Sequence, residues 1–287
     1  MSSALQPPGT VQTVAVSAGD LDVTVLGDGP PIVFLHPLLA SALHWRKVVP
    51  IVAGAGFRCI SPTLPLGAHA TAMRAGADVT PPAVAELVVE VITALQTGPV
   101  TLVGNDSGGA VAQILTATHP ELVDRLVLTS CDAFEHFFPP MFRYLSWGAP
   151  VPGFATVVGQ ALRFRVLRRT PITFGWLAKH GLPHEVIDAY AEPFLREAGV
   201  RRDAVGFVRG VNNRLTCDAA EQLRSFPRPA LIAWASEDKV FAPALAERLA
   251  ALLPTATLRW IDDSYAFTAE DQPEVLARLI VEFCRSR

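Results

Sequence analysis

An aspartate and a serine stand side by side in the stretch "TLVGNDSGGAVAQ", where a strand-like run gives way to a helix-like run. A sharp turn of this kind exposes one reactive side chain if small residues flank the bend. The spacing Gly104-x-Asp106-x-Gly108 puts Asp106 at the tip of the turn. A turn centred on Ser107 would instead need Asn105 as its first small residue. The spacing therefore favours Asp106 as a nucleophile, and a plain turn with an N-capping aspartate is the non-catalytic alternative.

A second carboxylate stands where it could serve a catalytic site. Asp238, in "WASEDKVFAP", follows an apolar run that is typical of a buried strand. A carboxylate at that place can orient and charge-balance a catalytic histidine. An aspartate after a strand is as often the N-cap of the next helix, so this signal is weak by itself.

The elements that position these residues follow a regular alternation. Short β-like runs lead into "PIVFLH", "FRCISP", "VTLVGN" and "RLVLTS", with helix-like runs between them, and the alternation resumes with "PALIAWASED" and "TLRWID". Between about Cys131 and Arg224 no strand-like run appears, and aromatic residues accumulate. The pattern predicts a mostly parallel sheet with helices on both faces. We expect a core in residues 1–132 and 225–287, and a helical cap in residues 133–224 that lies over the strand ends.

Composition narrows the function classes. The chain has 287 residues, of which 50% are hydrophobic and 18% charged, and its net charge is −3. These values fit a compact α/β protein with a small-molecule substrate and no nucleic-acid partner, either a monomer or a homodimer. The stretch "RFRVLRRTP" has four arginines. It could bind an anion, but a solvated helix face is favoured.

Location and cofactors are predicted from absent patterns. The start "MSSALQPPGT" has no secretory signal, and no apolar run approaches the roughly 18 residues that span a bilayer. The four cysteines form no C-x-x-C pair, and neither a phosphate-binding glycine loop nor a metal-ligand cluster occurs. We therefore expect a soluble cytoplasmic protein with reduced thiols, no cofactor, no metal and no membrane partner.

Three motifs together resemble one family. "FLHPLLASALHW" resembles the oxyanion loop, "GNDSGG" the aspartate elbow and "SEDKVFAP" the acid loop of α/β-hydrolase-fold haloalkane dehalogenases, fluoroacetate dehalogenases and epoxide hydrolases. The resemblance implies an α/β-hydrolase fold, with an eight-stranded, mostly parallel sheet and a helical cap inserted after the sixth strand. It implies that Asp106 forms an alkyl-enzyme ester and that Asp238 is the acid. It also implies that the N–H groups of Leu38 and Ser107 form the oxyanion hole and that His36 has a structural role.

The third catalytic loop departs from this family. "IDDSYAFTAEDQPE" resembles the terminal segment that carries the catalytic histidine, but Ala266 occupies the histidine position. Because general-base help is worth roughly 10²–10⁴ in rate, ester hydrolysis should be crippled unless another group replaces it. His69 and His136 follow strands on the correct edge and are candidate replacement bases. Asp132 is an alternative acid, since some dehalogenases carry their acid after that strand.

Aromatic residues of the predicted cap could contact substrate. Epoxide hydrolases open the ring with tyrosine acids from the lid, and the resemblance gives Tyr144 and Tyr190 that place, although packing is the favoured role for both. Trp147 and Trp176 are the tryptophans of the same segment, and Tyr265 stands beside Ala266. All five are predicted substrate-binding residues.

The leading hypothesis is an Asp106-nucleophile hydrolase of a small apolar epoxide with an incomplete triad. A carbon–halogen bond is less favoured, because Leu38 and Ser107 replace the Asn and Trp that hold the halide in haloalkane dehalogenases. The alternatives are a ligand-binding relative without turnover, or an isomerase, cyclase or lyase that uses Asp106 as a proton shuttle. Two further hypotheses are that Ala266 is an engineered substitution of the catalytic histidine, and that the protein is an esterase with Ser107 as its nucleophile.

Overall fold

The computed structural model describes residues 5–286 and has a single eight-stranded sheet. The strands are Thr10–Val16 (β1), Gly19–Leu26 (β2), Pro31–Leu35 (β3), Arg58–Pro62 (β4), Val100–Asp106 (β5), Val123–Cys131 (β6), Ala230–Ala235 (β7) and Ala256–Ile261 (β8). Their order in the sheet is β1-β2-β4-β3-β5-β6-β7-β8. Only β2 runs antiparallel to its neighbours β1 and β4, and every other pair is parallel. The predicted eight-stranded, mostly parallel sheet is confirmed.

Helices cover both faces of this sheet. They are Val49–Gly54 (α1), Pro81–Ala94 (α2), Ser107–Thr118 (α3), Arg143–Gly148 (α4), Phe154–Ala161 (α5), His184–Arg196 (α6), Ala198–Gly210 (α7), Asn213–Leu223 (α8), Pro243–Leu252 (α9), Thr268–Asp271 (α10) and Pro273–Arg285 (α11). Strand β3 shows why its sequence is apolar throughout. Ile32 and Phe34 belong to the core formed with α1 and α11, whereas Val33 and Leu35 belong to the core formed with α2, α3 and α9. A parallel strand buried on both faces has no polar side to present.

Residues 133–224, which we call the helical insertion, separate β6 from β7. In this segment the structure has helices and a single isolated β-bridge but no strand. The last helix, α8, packs against α3 and α9 beside the sheet. The residues that cover Asp106 come instead from positions 138–177 of the insertion. Only the earlier helices of the insertion therefore lie over the strand ends, and α8 belongs to the layer around the sheet.

Polar contacts hold the insertion to the core on two sides. The backbone N–H of Phe267 donates to the carbonyl of Leu177 at 2.7 Å, and the N–H of Lys179 donates to the Asp271 carboxylate at 2.7 Å. On the other side, the buried Asp203 of α7 lies 3.1 Å from the ring of His69. Buried polar contacts of this kind are costly to break, so they hold the helical insertion against the core.

Candidate active site

Asp106 stands at the junction of β5 and α3 in a strained conformation. Its backbone has φ 54° and ψ −129°, a region that residues other than glycine rarely adopt. The surrounding glycines make the turn possible. A Cβ atom on Gly104 would lie 2.6 Å from the carbonyl oxygen of Gly108, and one on Gly109 would lie 2.3 Å from the Cβ of Cys131. Strain of this kind costs about 1–3 kcal/mol and presents the side chain of Asp106 at the strand end.

The carboxylate of Asp106 is held by backbone donors. Its Oδ1 accepts a hydrogen bond from the N–H of Ser107 at 2.6 Å. Burial raises the pKa of Asp106 to about 6, while backbone hydrogen bonds from Ser107 and Leu38 oppose this rise. The two N–H groups predicted for the oxyanion hole therefore lie at the carboxylate itself, and they stabilise negative charge there.

His36 fixes the loop that carries Leu38. Its Nδ1 donates to the carbonyl of Pro37 at 2.8 Å, and its Nε2 accepts from the N–H of Leu64 at 2.8 Å. Burial lowers the pKa of His36 to about 4, so the ring is neutral at physiological pH. Both ring nitrogens hold backbone groups in place, in keeping with a structural role.

Asp132 is a second carboxyl group on the same cavity. It is fully buried after β6, and its Oδ2 accepts a hydrogen bond from the Ser107 hydroxyl at 3.2 Å. Its Oδ1 has no partner among the described residues. Burial, reinforced by the negative charge of Asp106, raises the pKa of Asp132 well above its usual range. This shift favours the protonated form of Asp132, which can donate a proton into the cavity.

Asp238 lies on the next loop with one oxygen engaged and one free. Its Oδ1 accepts from the N–H groups of Val240 and Phe241 at 2.8 and 2.9 Å. Its Oδ2 is buried and has no partner in the described part of the chain. Burial raises the pKa of Asp238 to about 7, and the charge of Asp106 contributes to this rise.

Ala266, at the position where the family resemblance places a catalytic histidine, has only a methyl group as its side chain. Ala266 is fully buried, and its carbonyl accepts a hydrogen bond from the side-chain amide of Asn105 at 2.9 Å. The same amide donates to the carbonyls of Thr129 and Ser130 at 2.8 and 3.0 Å. Asn105 thus links β5, β6 and the loop after β8 that carries Ala266. The only sequence signal for this role is an amide side chain next to Asp106 in a largely apolar strand.

The two proposed replacement bases lie outside the cavity that Asp106 lines. His69 is buried, but its Nε2 lies 3.1 Å from the Asp203 carboxylate and its Nδ1 accepts from the N–H of Gly67 at 3.4 Å. The side chain of His136 is 32% exposed and lies 3.7 Å from Glu135. The structure thus corrects the expectation for both histidines, since neither presents a free ring nitrogen to Asp106.

The predicted aromatic residues separate into two groups. Tyr144 lines the cavity, and its hydroxyl donates to the carbonyl of Ile172 at 2.7 Å. Tyr190 is buried with an unpartnered hydroxyl, but it does not line the cavity. The side chain of Trp147 is 75% exposed, which corrects the expectation that it contacts substrate.

Trp176 and Tyr265 form part of the outer wall rather than the cavity lining. The ammonium group of Lys239 lies 5.6 Å from the ring of Trp176 and 4.5 Å from the ring of Tyr265. Through these cation–π contacts, Lys239 links Trp176 of the helical insertion to Tyr265 on the loop after β8. The two rings therefore close the seam between insertion and core, which differs from the predicted contact with substrate.

The cavity above Asp106 is small and apolar. Its volume is about 70 Å³, less than half that of an engineered cavity of about 150 Å³ that binds benzene. The lining consists of Leu38, Leu39, Asp106, Asp132, Phe138, Pro139, Phe142, Tyr144, Leu145, Val158, Leu162, Ile172, Thr173, Phe174 and Leu177. Sequence reasoning missed most of the aliphatic members, because a leucine that faces a cavity and a leucine in the core have the same helical spacing.

The structure gives no site for a metal ion or a disulfide within residues 5–286. It has no group of three or more His, Cys, Asp or Glu side chains that could hold a metal. Cys59, Cys131, Cys217 and Cys284 are free thiols. No described helix is long and apolar enough to cross a membrane.

Comparison with known proteins identifies the family. Residues 30–273 match the α/β hydrolase fold family, and the chain belongs to that family. It is 25% identical over 268 residues to YugF, an uncharacterised hydrolase of Bacillus subtilis, with 88% of this chain and 89% of YugF covered. It is also 25% identical to a haloalkane dehalogenase of Psychrobacter cryohalolentis, with 92% of this chain and 88% of the dehalogenase covered.

A solved structure supports the same fold. The epoxide hydrolase CorEH superposes with a TM-score of 0.79 at 19% identity, and the match covers 96% of this chain and 98% of that one. At this identity the likeness establishes the fold alone. The chain is therefore a hydrolase-family protein with dehalogenase and epoxide hydrolase neighbours.

Proposed function

We propose that this chain is an enzyme in which the Asp106 carboxylate attacks a carbon atom of a small apolar electrophile. An epoxide is the favoured substrate and a haloalkane is the second choice. The observation that carries the proposal is the placement of Asp106 at a strained turn, tied to the N–H of Ser107 at 2.6 Å and facing an apolar cavity. The dehalogenase and epoxide hydrolase neighbours support the reaction class.

The polar groups of the cavity favour an epoxide over a haloalkane. A departing halide needs N–H donors, but the polar side chains in the lining are only Asp106, Asp132, Tyr144 and Thr173. An opening epoxide needs a proton for its alkoxide, and Asp132, whose protonated form is favoured by burial, would supply it. The Asp106 oxygen then forms the new C–O bond while the ring C–O bond breaks. The proton moves from Asp132 to the alkoxide, and the product is an ester on Asp106.

The second half-reaction would be slow. Hydrolysis of the ester needs a base that activates water, and position 266 is an alanine. The free Oδ2 of Asp238 has no imidazole to orient. Because His69 and His136 lie elsewhere, we propose that the ester accumulates after one attack.

Intact-protein mass spectrometry tests this proposal. The protein is incubated with propylene oxide, epichlorohydrin or bromoethane, and peptide mapping locates any adduct. With an epoxide, the mass should rise by the whole epoxide; with bromoethane, by an ethyl group in place of a proton. Asp106→Asn is the matched control, since it keeps the size of the side chain and removes the nucleophile. An adduct that maps to another residue, or that persists unchanged in Asp106→Asn, would contradict the proposal.

A second candidate is a reaction without water, in which Asp106 shuttles a proton. It is favoured by the two carboxyl groups on one cavity, because burial raises the pKa of Asp132 well above its usual range, while the pKa of Asp106 is about 6. An ionised Asp106 would take a proton from carbon while Asp132 donates one elsewhere, as in an isomerisation. A product of unchanged mass without heavy oxygen from labelled water would support this reaction. Saturable binding without any product would instead favour a ligand-binding relative.

A further inference from the structure

Exposed apolar side chains are concentrated on one part of the helical insertion. Within residues 5–286, twelve large hydrophobic side chains are exposed, and eight of these lie between positions 147 and 176. They are Trp147, Val151, Val157, Phe164, Val166, Leu167, Ile172 and Trp176. We call these eight residues the apolar face. Single exposed apolar residues are ordinary, but a concentration of this kind marks an interaction surface.

The charged residues of the segment that carries the apolar face are all basic. Between Glu135 and Glu185 the sequence contains no Asp or Glu, whereas it contains five Arg and one Lys. The exposed arginines of this segment are Arg143, Arg163, Arg165 and Arg169, and none of them is in an ion pair within the described part of the chain. Two acids on the neighbouring α6 have partners already, since Asp188 pairs with Arg168 at 2.6 Å and Glu192 with Arg196 at 2.8 Å. The face therefore keeps several positive charges available for an anionic partner.

The segments that carry the apolar face surround the cavity above Asp106. Tyr144 of α4 contacts the ring of Phe154 of α5 and donates to the carbonyl of Ile172. The inward side chains of these segments, such as Leu145 and Val158, line the cavity, while the outward ones are exposed. Helices that are apolar on both sides are usually covered on both sides. The outward side lacks such a cover in the isolated chain.

We propose that the apolar face docks on the surface of a lipid bilayer that contains anionic lipids. Tryptophan and phenylalanine insert at the level of the headgroups, and arginines bind lipid phosphates. A second copy of the chain fits less well, because a two-fold contact through this face would bring its unpaired arginines together. The arginine-rich stretch "RFRVLRRTP" thus takes a role other than the solvated helix face favoured from sequence. The prediction of no membrane partner rested on the lack of a spanning run, which a surface contact does not need.

Vesicle sedimentation with the full chain tests the docking. We expect the protein to bind vesicles of phosphatidylcholine and phosphatidylserine in equal parts, to bind pure phosphatidylcholine more weakly, and to be released by high salt. The double variant Arg165→Gln/Arg169→Gln should bind anionic vesicles roughly thirty-fold more weakly, at roughly fivefold for each arginine. The double variant Trp147→Ser/Phe164→Ser should lose more than roughly tenfold on both vesicle types.

Matched controls lie on the far strand of the sheet. Trp260 of β8 is 40% exposed and neighbours the exposed Arg259, so Trp260→Ser and Arg259→Gln change the same chemistry away from the face. Both should bind vesicles like the parent chain. Absence of binding to anionic vesicles, or equal binding by the parent and the Trp147→Ser/Phe164→Ser variant, would overturn the proposal. A dimer in light scattering that Trp147→Ser/Phe164→Ser dissociates would also overturn it in favour of self-association. The readout does not depend on chemistry at Asp106, so the failure of one proposal is separate from that of the other.

Discussion

Replacement of Ala266 by histidine is the sharpest perturbation of the proposed site. Ala266 is fully buried on the loop that follows β8, and the resemblance to the family gives this position the catalytic base. The Oδ2 of Asp238 has no hydrogen-bond partner among the described residues, and we expect it to accept a hydrogen bond from the ring N–H of a histidine at position 266. The change therefore adds a base and a group that can orient it, while Asp106 stays intact.

The expected effect is on decay of the ester rather than on its formation. A positioned general base is worth roughly 10²–10⁴ in rate, or about 2.7–5.5 kcal/mol of activation free energy. Introducing a ring into a packed site costs about 1–3 kcal/mol of folding stability. That cost lowers the melting temperature but leaves the chemistry in the folded fraction unchanged. The negative charge of Asp238 should favour the imidazolium, so ester decay should rise with pH as the ring becomes neutral.

Mass spectrometry after a pulse of epoxide separates the two steps. The adduct is formed, free epoxide is removed, and the adduct peak is followed over time in the parent chain and in Ala266→His. Ala266→Leu is the matched control, because it adds comparable bulk without a proton acceptor. In Ala266→His/Asp238→Asn the ring loses its orienting carboxylate, and most of the gain should disappear.

Two results would refute this reasoning. The first is a folded Ala266→His variant whose adduct decays no faster than that of the parent chain or of Ala266→Leu. The second is a parent chain that already releases product at the rate of Ala266→His. In that case a group other than residue 266 would already act as the base in the parent chain.

Three further predictions follow from the geometry. The pKa of Asp238 is about 7 when folded and about 3.9 when unfolded, so ionisation destabilises the fold progressively from about pH 4 to pH 7. Asp238→Asn should thus exceed the parent chain in urea unfolding free energy by up to about 4 kcal/mol at pH 8 and match it near pH 4. Gly109→Ala, whose Cβ would lie 2.3 Å from the Cβ of Cys131, should lose about 1–3 kcal/mol in the same assay. Gly54→Ala on α1, where nothing lies within 4 Å, should not lose stability. His136→Ala should leave adduct formation and decay unchanged by mass spectrometry.

Each of these predictions has an outcome that contradicts it. If Asp238→Asn and the parent chain lost stability in parallel between pH 4 and pH 8, burial would not raise the pKa of Asp238. If Gly109→Ala were as stable as Gly54→Ala, the close approach of α3 to β6 would be relaxed in solution. A large change in the rate of adduct formation or decay in His136→Ala would indicate that His136 acts as a base.

Local sequence patterns were sufficient to predict the fold and to single out Asp106 as the candidate nucleophile. The strands β3 to β8 all overlap the apolar runs quoted from the sequence, because buried parallel strands need apolar runs bounded by turn residues. The turn between β5 and α3 also depends on residues that are close together in the sequence. Asp106 has a positive φ, and the turn around it has no room for a Cβ atom at positions 104, 108 and 109. The glycines that meet this requirement are near neighbours of Asp106 in the sequence.

Which distant side chains meet depends on the tertiary packing and could not be predicted from local sequence. His69 and Asp132 both follow a strand on the same edge, yet Asp203 of α7 holds the first, while the second faces Asp106 across the cavity. Trp147 and Tyr144 lie three positions apart on one helix, but the first is 75% exposed and the second lines the cavity. Local spacing fixes which elements form, whereas the contacts of a side chain depend on segments far away in the chain. The strained turn at Asp106 could therefore be predicted from sequence, whereas the side chains that surround Asp106 could not.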